Sequence, residues 1–138
     1  GFPKSSYHAF RFLRETGSEE ISACFSGEPR EEYGVLASQE GNELRLLVWN
    51  YRQPETEGVP LEFTIPDLAS STGSIERILP GHGSAYETWL ELGKPDFLNR
   101  ETFDALDAAS RTEVQPLSGA EPVSIPSGTA ALLKFRLS

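Results

Sequence analysis

The chain has 138 residues, 38% of them hydrophobic and 24% charged, enough for one domain with a core of its own. A formal charge of −9 and a pI near 4.7 leave no basic footprint for phosphates, which argues against nucleic acid or anionic membrane as partners and favours neutral ligands. No apolar run approaches the roughly 18–20 residues that cross a bilayer, and "GFPKSSYHAF" lacks the apolar stretch of a signal peptide, so the expectation is a soluble globular domain of unassigned compartment.

The first predicted element is a helix. In "SSYHAFRFLRETG" Tyr7, Phe10 and Leu13 recur at helical spacing, Ser5 or Ser6 can serve as N-cap, and Gly17 stands at the C-terminal stop. The period then changes to two. The segments "EEISACF", "EYGVLASQ", "NELRLLVWNY", "VPLEFTIPDL", "SIERIL", "EVQPL", "EPVSIP" and "TAALLKFRLS" are short, and Gly, Pro, Asn or Ser turns separate them. Cys24, the only cysteine, can form no internal disulfide; it alternates with Ser22 and Ser26 and reads as a half-buried strand residue. In "LEFTI" Leu61, Phe63 and Ile65 share one face, and in "LLKFRL" Leu133, Phe135 and Leu137 lie opposite Lys134 and Arg136. One face of such strands should be core and the other wet.

Two helices interrupt the strands at about residues 84–110. Ser84 followed by Glu87 has the spacing of a capping box, and Gly93 with Pro95 ends the helix that it would open. The second helix runs from Asn99 as N-cap through "RETFDALDAAS", with Phe103 and Leu106 on one face and Glu101 and Asp104 near its positive end. The predicted fold is mainly β: an antiparallel, jelly-roll-like β-sandwich with a short N-terminal helix and an inserted helix pair.

Motif-borne chemistry is scarce. His8 and His82 are the only imidazoles, and neither has a second ligand at metal-site spacing, so no metal and no cofactor are expected. There is no G-x-S-x-G elbow, P-loop or calcium loop. The acidic residues of "GEPREE" and "RQPETEGVP" lie in turn-like segments with nothing apolar to raise a carboxyl pKa, and read as solvated surface. The aromatics leave two readings open. Trp49 and Tyr51 share one face of the most apolar strand, and Tyr86 and Trp89 lie three apart on the first inserted helix. They are either core or interface residues, or a platform for a sugar ring, with Asn50, Arg52 or His82 supplying hydrogen bonds to hydroxyls.

The run "HGSAYETWLELGKPDFLNRETFDALDAAS" resembles the C-terminal region of family 39 glycoside hydrolases, the β-xylosidases and their relatives, where a His-Ser-Asn-Ala-Tyr segment leads into a similar helix pair. "YHAFRFLRETG" followed by "GVLASQEGNELRLLVWNY" resembles the same family's last barrel helix and first sandwich strands. The resemblance implies a retaining glycosidase as parent, with a TIM-type barrel whose acid/base Glu sits in an Asn-Glu-Pro motif and whose nucleophile is a second Glu. Neither segment is found here, for Asn42-Glu43 is followed by Leu44, so no residue inherits a catalytic role. Gly83 and Ser84 also stand where the family has Ser and Asn.

The resemblance therefore implies that residues 1–17 are the last helix of a missing barrel and residues 18–138 the accessory sandwich. The expected function is that of a non-catalytic C-terminal accessory domain of a xylosidase-like glycoside hydrolase, packing against a catalytic barrel of the same or another chain. One alternative is an independent carbohydrate-binding module for neutral xylo-oligosaccharides; another is a structural or oligomer-forming domain, with weak self-association expected through Tyr7 and Phe10. Trp49, Asn50, Tyr51, His82, Tyr86 and Trp89 are the candidate sugar-binding or barrel-interface residues.

Overall fold

Helix α1 (Ser5–Arg14) opens the computed structural model, which describes residues 2–26, 32–51 and 57–137. Strands β1 (Glu19–Ile21), β2 (Tyr33–Glu40), β3 (Glu43–Asn50), β4 (Leu61–Phe63), β5 (Thr72–Arg77), β6 (Leu79–Pro80) and β7 (Gly83–Ser84) follow. Helices α2 (Tyr86–Glu91) and α3 (Arg100–Ala109) come next, then strands β8 (Glu113–Ser118), β9 (Val123–Ile125) and β10 (Thr129–Arg136). Each segment with period-two alternation forms a strand. The main sheet has the order β1-β2-β3-β10-β5-β8, with every neighbouring pair antiparallel. The β2–β3 hairpin turns through Gly41 and Asn42, where Gly41 takes φ +60°, a conformation that glycine reaches without a Cβ penalty. Asn42-Glu43 thus belongs to a hairpin.

β4 and β9 pair antiparallel as a second, two-stranded sheet, and the main core lies between the two sheets. Leu61, Val123 and Ile125 from the small sheet meet Val48, Ile75, Leu133 and Phe135 from the large one. Full burial of each such side chain stabilises by roughly 1.5–3 kcal/mol, so this cluster is what holds the sandwich closed. The mainly-β sandwich is therefore as expected, with one lopsided layer.

The outer face of the large sheet is only partly wet. α1 lies across its middle, where Phe12 (0% exposed) packs with Leu47, Ile78 and Leu132 in a second cluster. Central strand β10 consequently buries Leu132 on one side and Leu133 on the other, while the outward Lys134 reaches Glu15 at the end of α1.

Four local expectations are corrected. The N-cap of α1 is Lys4, and neither Ser5 nor Ser6 caps it. Gly17 is needed where the chain leaves the helix to pass against β2, because a Cβ there would stand 2.5 Å from the Gln39 carbonyl. β1 ends at Ile21, since its pairing with β2 stops at Ala37; Cys24 is exposed beyond it, and Phe25 folds back edge-on against Tyr33 and Phe63. Finally, no capping box forms. The N-cap of α2 is Ala85, and Ser84 lies in β7 with its hydroxyl donating to the Glu87 carboxylate at 2.8 Å.

The other helix signals hold. Asn99 caps α3 by accepting from the Thr102 amide at 2.8 Å. α2 ends in a Schellman motif: the Lys94 amide bonds Trp89 O and the Gly93 amide bonds Leu90 O, with Gly93 at φ +85°.

Candidate functional site: clefts and an apolar face around the first helix

α1 carries two stripes. Ala9 and Phe12 face the sheet and His8 is buried against the end of α3, whereas Tyr7, Phe10 and Leu13 are 53%, 67% and 49% exposed. The periodicity visible in the sequence is therefore the outward stripe. It forms an apolar face on the molecular surface, and large exposed apolar patches on soluble proteins mark interaction sites. Near its start, Phe2 packs on Phe103 of α3 with ring centroids 5.0 Å apart.

A polar network fixes the inward stripe. Arg11 forms a two-pronged ion pair with Glu76 of β5 and also bonds Glu15 at 3.0 Å. Thr112, just beyond α3, donates to the same Glu76 carboxylate. Buried His8 must carry its proton on Nε2, because that nitrogen lies 2.7 Å from Ser110 O, which can only accept; Nδ1 then accepts from Arg11 at 3.2 Å. Burial pushes the Glu76 carboxyl up, but the hydrogen bonds from Arg11 and Thr112 and the Arg11 charge outweigh it and hold it below the ordinary glutamate value. The bond to Glu76 likewise raises Arg11, against the opposing effect of burial. These groups tie α1 to the sheet and to the end of α3. No local spacing could have revealed them, since Arg11 and Glu76 lie 65 positions apart.

The six candidate residues fall into three places. Trp49 and Tyr51, 39% and 56% exposed, line a cleft of about 470 Å³ with Ser6, Ala9, Ile78 and Thr129. The Trp49 indole lies over Gly34 on β2, where an added Cβ would come within 2.2 Å of the ring. Asn50 is 3% exposed and its amide donates to Val59 O at 2.8 Å and Ile125 O at 3.1 Å. Both of its amide N–H donors join β3 to β9 and the 57–60 segment, while the residue itself lines the cleft of Trp49 and Tyr51. Arg52 and much of the two acidic turn segments lie outside the described residues.

Tyr86 and Trp89 stand on α2 in a separate cleft of about 570 Å³, which Phe2, Lys4, Asp96 and Leu98 also line. Their rings are 6.0 Å apart and tilted by 33°. The Trp89 indole N–H donates to Pro95 O at 3.2 Å, which fixes both the ring and the loop after α2. His82 does not join them. It lines a groove of about 100 Å³ with Arg77, Leu79 and Gln115, its Nδ1 4.0 Å from the Glu113 carboxylate. Among the described residues no group of three or more His, Cys, Asp or Glu side chains is placed to hold a metal, and no helix is long and apolar enough to cross a membrane.

No family model matches the chain. It is 29% identical over 122 residues to a β-xylosidase of Caldicellulosiruptor saccharolyticus, covering 86% of this chain and 25% of that protein. The fold is shared with a family 39 (GH39) β-xylosidase from Caulobacter crescentus at TM-score 0.67 and 18% identity, over 99% of this chain and 28% of the other. It is shared also with a GH39 enzyme from Xanthomonas axonopodis pv. citri at TM-score 0.68 and 14% identity, over 96% and 30%. The chain thus spans only a quarter to a third of the length of these proteins. Sequence and fold together bear out the resemblance: the chain is similar in sequence to part of a β-xylosidase and shares its fold with part of GH39 enzymes.

Proposed function

We propose that this domain is a non-catalytic accessory β-sandwich of a xylosidase-like glycoside hydrolase and that it docks on the catalytic barrel through the outward stripe of α1. The observation that carries the reading is the division of one ten-residue helix into a buried stripe at Phe12 and an exposed apolar stripe at Tyr7, Phe10 and Leu13. A helix anchored so firmly on one side while it leaves three large apolar side chains in water is built to be covered on both. The β-xylosidases it resembles are three to four times longer, which leaves room in a parent chain for the partner. Residues 1–17 are then the element shared between the two domains.

A retaining glycosidase needs two carboxyl groups about 5–5.5 Å apart around its sugar. Among the described residues the clefts beside α1 bring together no such pair: the larger has Asp96 and the smaller no carboxylate. The purified chain should therefore leave aryl β-xyloside unhydrolysed, while the product of the full coding region turns it over. Turnover by the chain alone, lost on replacing one of its own Asp or Glu residues, would overturn the assignment.

A further inference from the structure

We infer that the cleft between the start of α1 and the α2–α3 pair is a binding subsite for a neutral pyranose, with the Tyr86 ring as stacking face and Lys4 and Asp96 as hydroxyl partners. Its volume of about 570 Å³ falls within the roughly 300–1,000 Å³ usual for small-molecule sites. Tyr86 is 62% exposed, so a face of its ring is free, and it stands beside an indole already locked to Pro95 O. The stacking surface is thus preorganised on a short helix whose end the Schellman motif fixes. Such a surface matches the C–H face of an uncharged sugar ring.

The polar lining completes the match. Lys4 and Asp96 both line the cleft, and among the described residues neither makes an ion pair or side-chain hydrogen bond. An ammonium can only donate and a carboxylate only accept, so a ligand that satisfies both must offer acceptors and donors together, as hydroxyls do. His82 and Asn50 have no part in this cleft: one lines a small groove and the other the cleft of Trp49 and Tyr51. This inference concerns the chain alone and is independent of docking on a barrel.

The test is a titration of the isolated domain with xylohexaose, followed by amide and indole chemical shifts. Saturable shifts should appear at Tyr86, Trp89, Lys4 and Asp96, with a Kd on the order of 1 mM. Tyr86→Ala should weaken binding at least tenfold and Tyr86→Phe should retain it, both with an unchanged melting temperature because the ring is exposed. Asp96→Asn and Lys4→Met should each weaken it several-fold, and Trp49→Ala should leave it unchanged. The proposal falls if no residue of this cleft shifts saturably, if binding survives Tyr86→Ala, or if shifts centre on Trp49 and Tyr51. It falls equally if p-nitrophenol saturates the cleft while the sugar does not, for the site would then be an apolar aromatic one.

Discussion

Glu76 sits where burial and pairing oppose each other, and pairing wins. A carboxyl whose folded pKa lies below its unfolded value contributes stability that is fully present above the unfolded value and is lost as pH falls through the folded one. Wild-type protein should therefore lose stability more steeply below about pH 4.3 than Glu76→Gln, which should already be about 1–3 kcal/mol less stable near neutrality. Urea midpoints measured from pH 7 to pH 3 check both parts; parallel curves would remove the ion pair from the account. At the same scale, Asn99→Ala should cost about 1 kcal/mol through loss of its cap, whereas Ser84→Ala should stay within about 0.5 kcal/mol, since its hydroxyl only meets a carboxylate side chain. The two serine–asparagine signals look alike as letters. They part because Gly83 and Ser84 are taken into a short parallel pairing with β6, which delays the start of α2 to Tyr86.

Among the elements, the strands were legible and the helix faces were not. Alternation in "LEFTI" and "LLKFRL" correctly separates inward Leu61, Leu133 and Phe135 from outward Glu62 and Arg136, because a strand has only two faces. A helix has more. α1 shows Tyr7, Phe10 and Leu13 at textual prominence, yet it is Ala9 and Phe12 that meet the sheet, and a buried histidine satisfied by a distant carbonyl at the end of α3 has no sequence signal. Sugar-site candidates were legible to the same limited degree: the aromatic pairs lie in clefts and Asn50 lines that of Trp49 and Tyr51, but His82 lines a third groove, and the shared cleft of Lys4 and Asp96 exists only in three dimensions. The stripes differ sharply in expected energetics. Phe12→Ala should cost about 3–5 kcal/mol, as for other buried aromatics, whereas Phe10→Ser should change the stability of the isolated domain by no more than about 0.5 kcal/mol. Thermal melts of the two variants settle the comparison, and a large loss in Phe10→Ser would mean that the outward stripe is packed within this domain.

For the molecule as a whole, the lopsided sandwich has its covering helix on the side of the six-stranded sheet, and that helix turns an apolar stripe outward. Docking on a catalytic barrel would bury the stripe once more. The most direct measurement uses Phe10→Cys in a Cys24→Ser background and follows the rate at which a water-soluble maleimide labels residue 10. In the isolated domain, labelling should be as fast as for an exposed thiol. In the product of the full coding region it should fall at least a hundredfold, and recover when the barrel is removed by proteolysis. Equal rates in both would contradict the claim that this face is the seat of the catalytic domain.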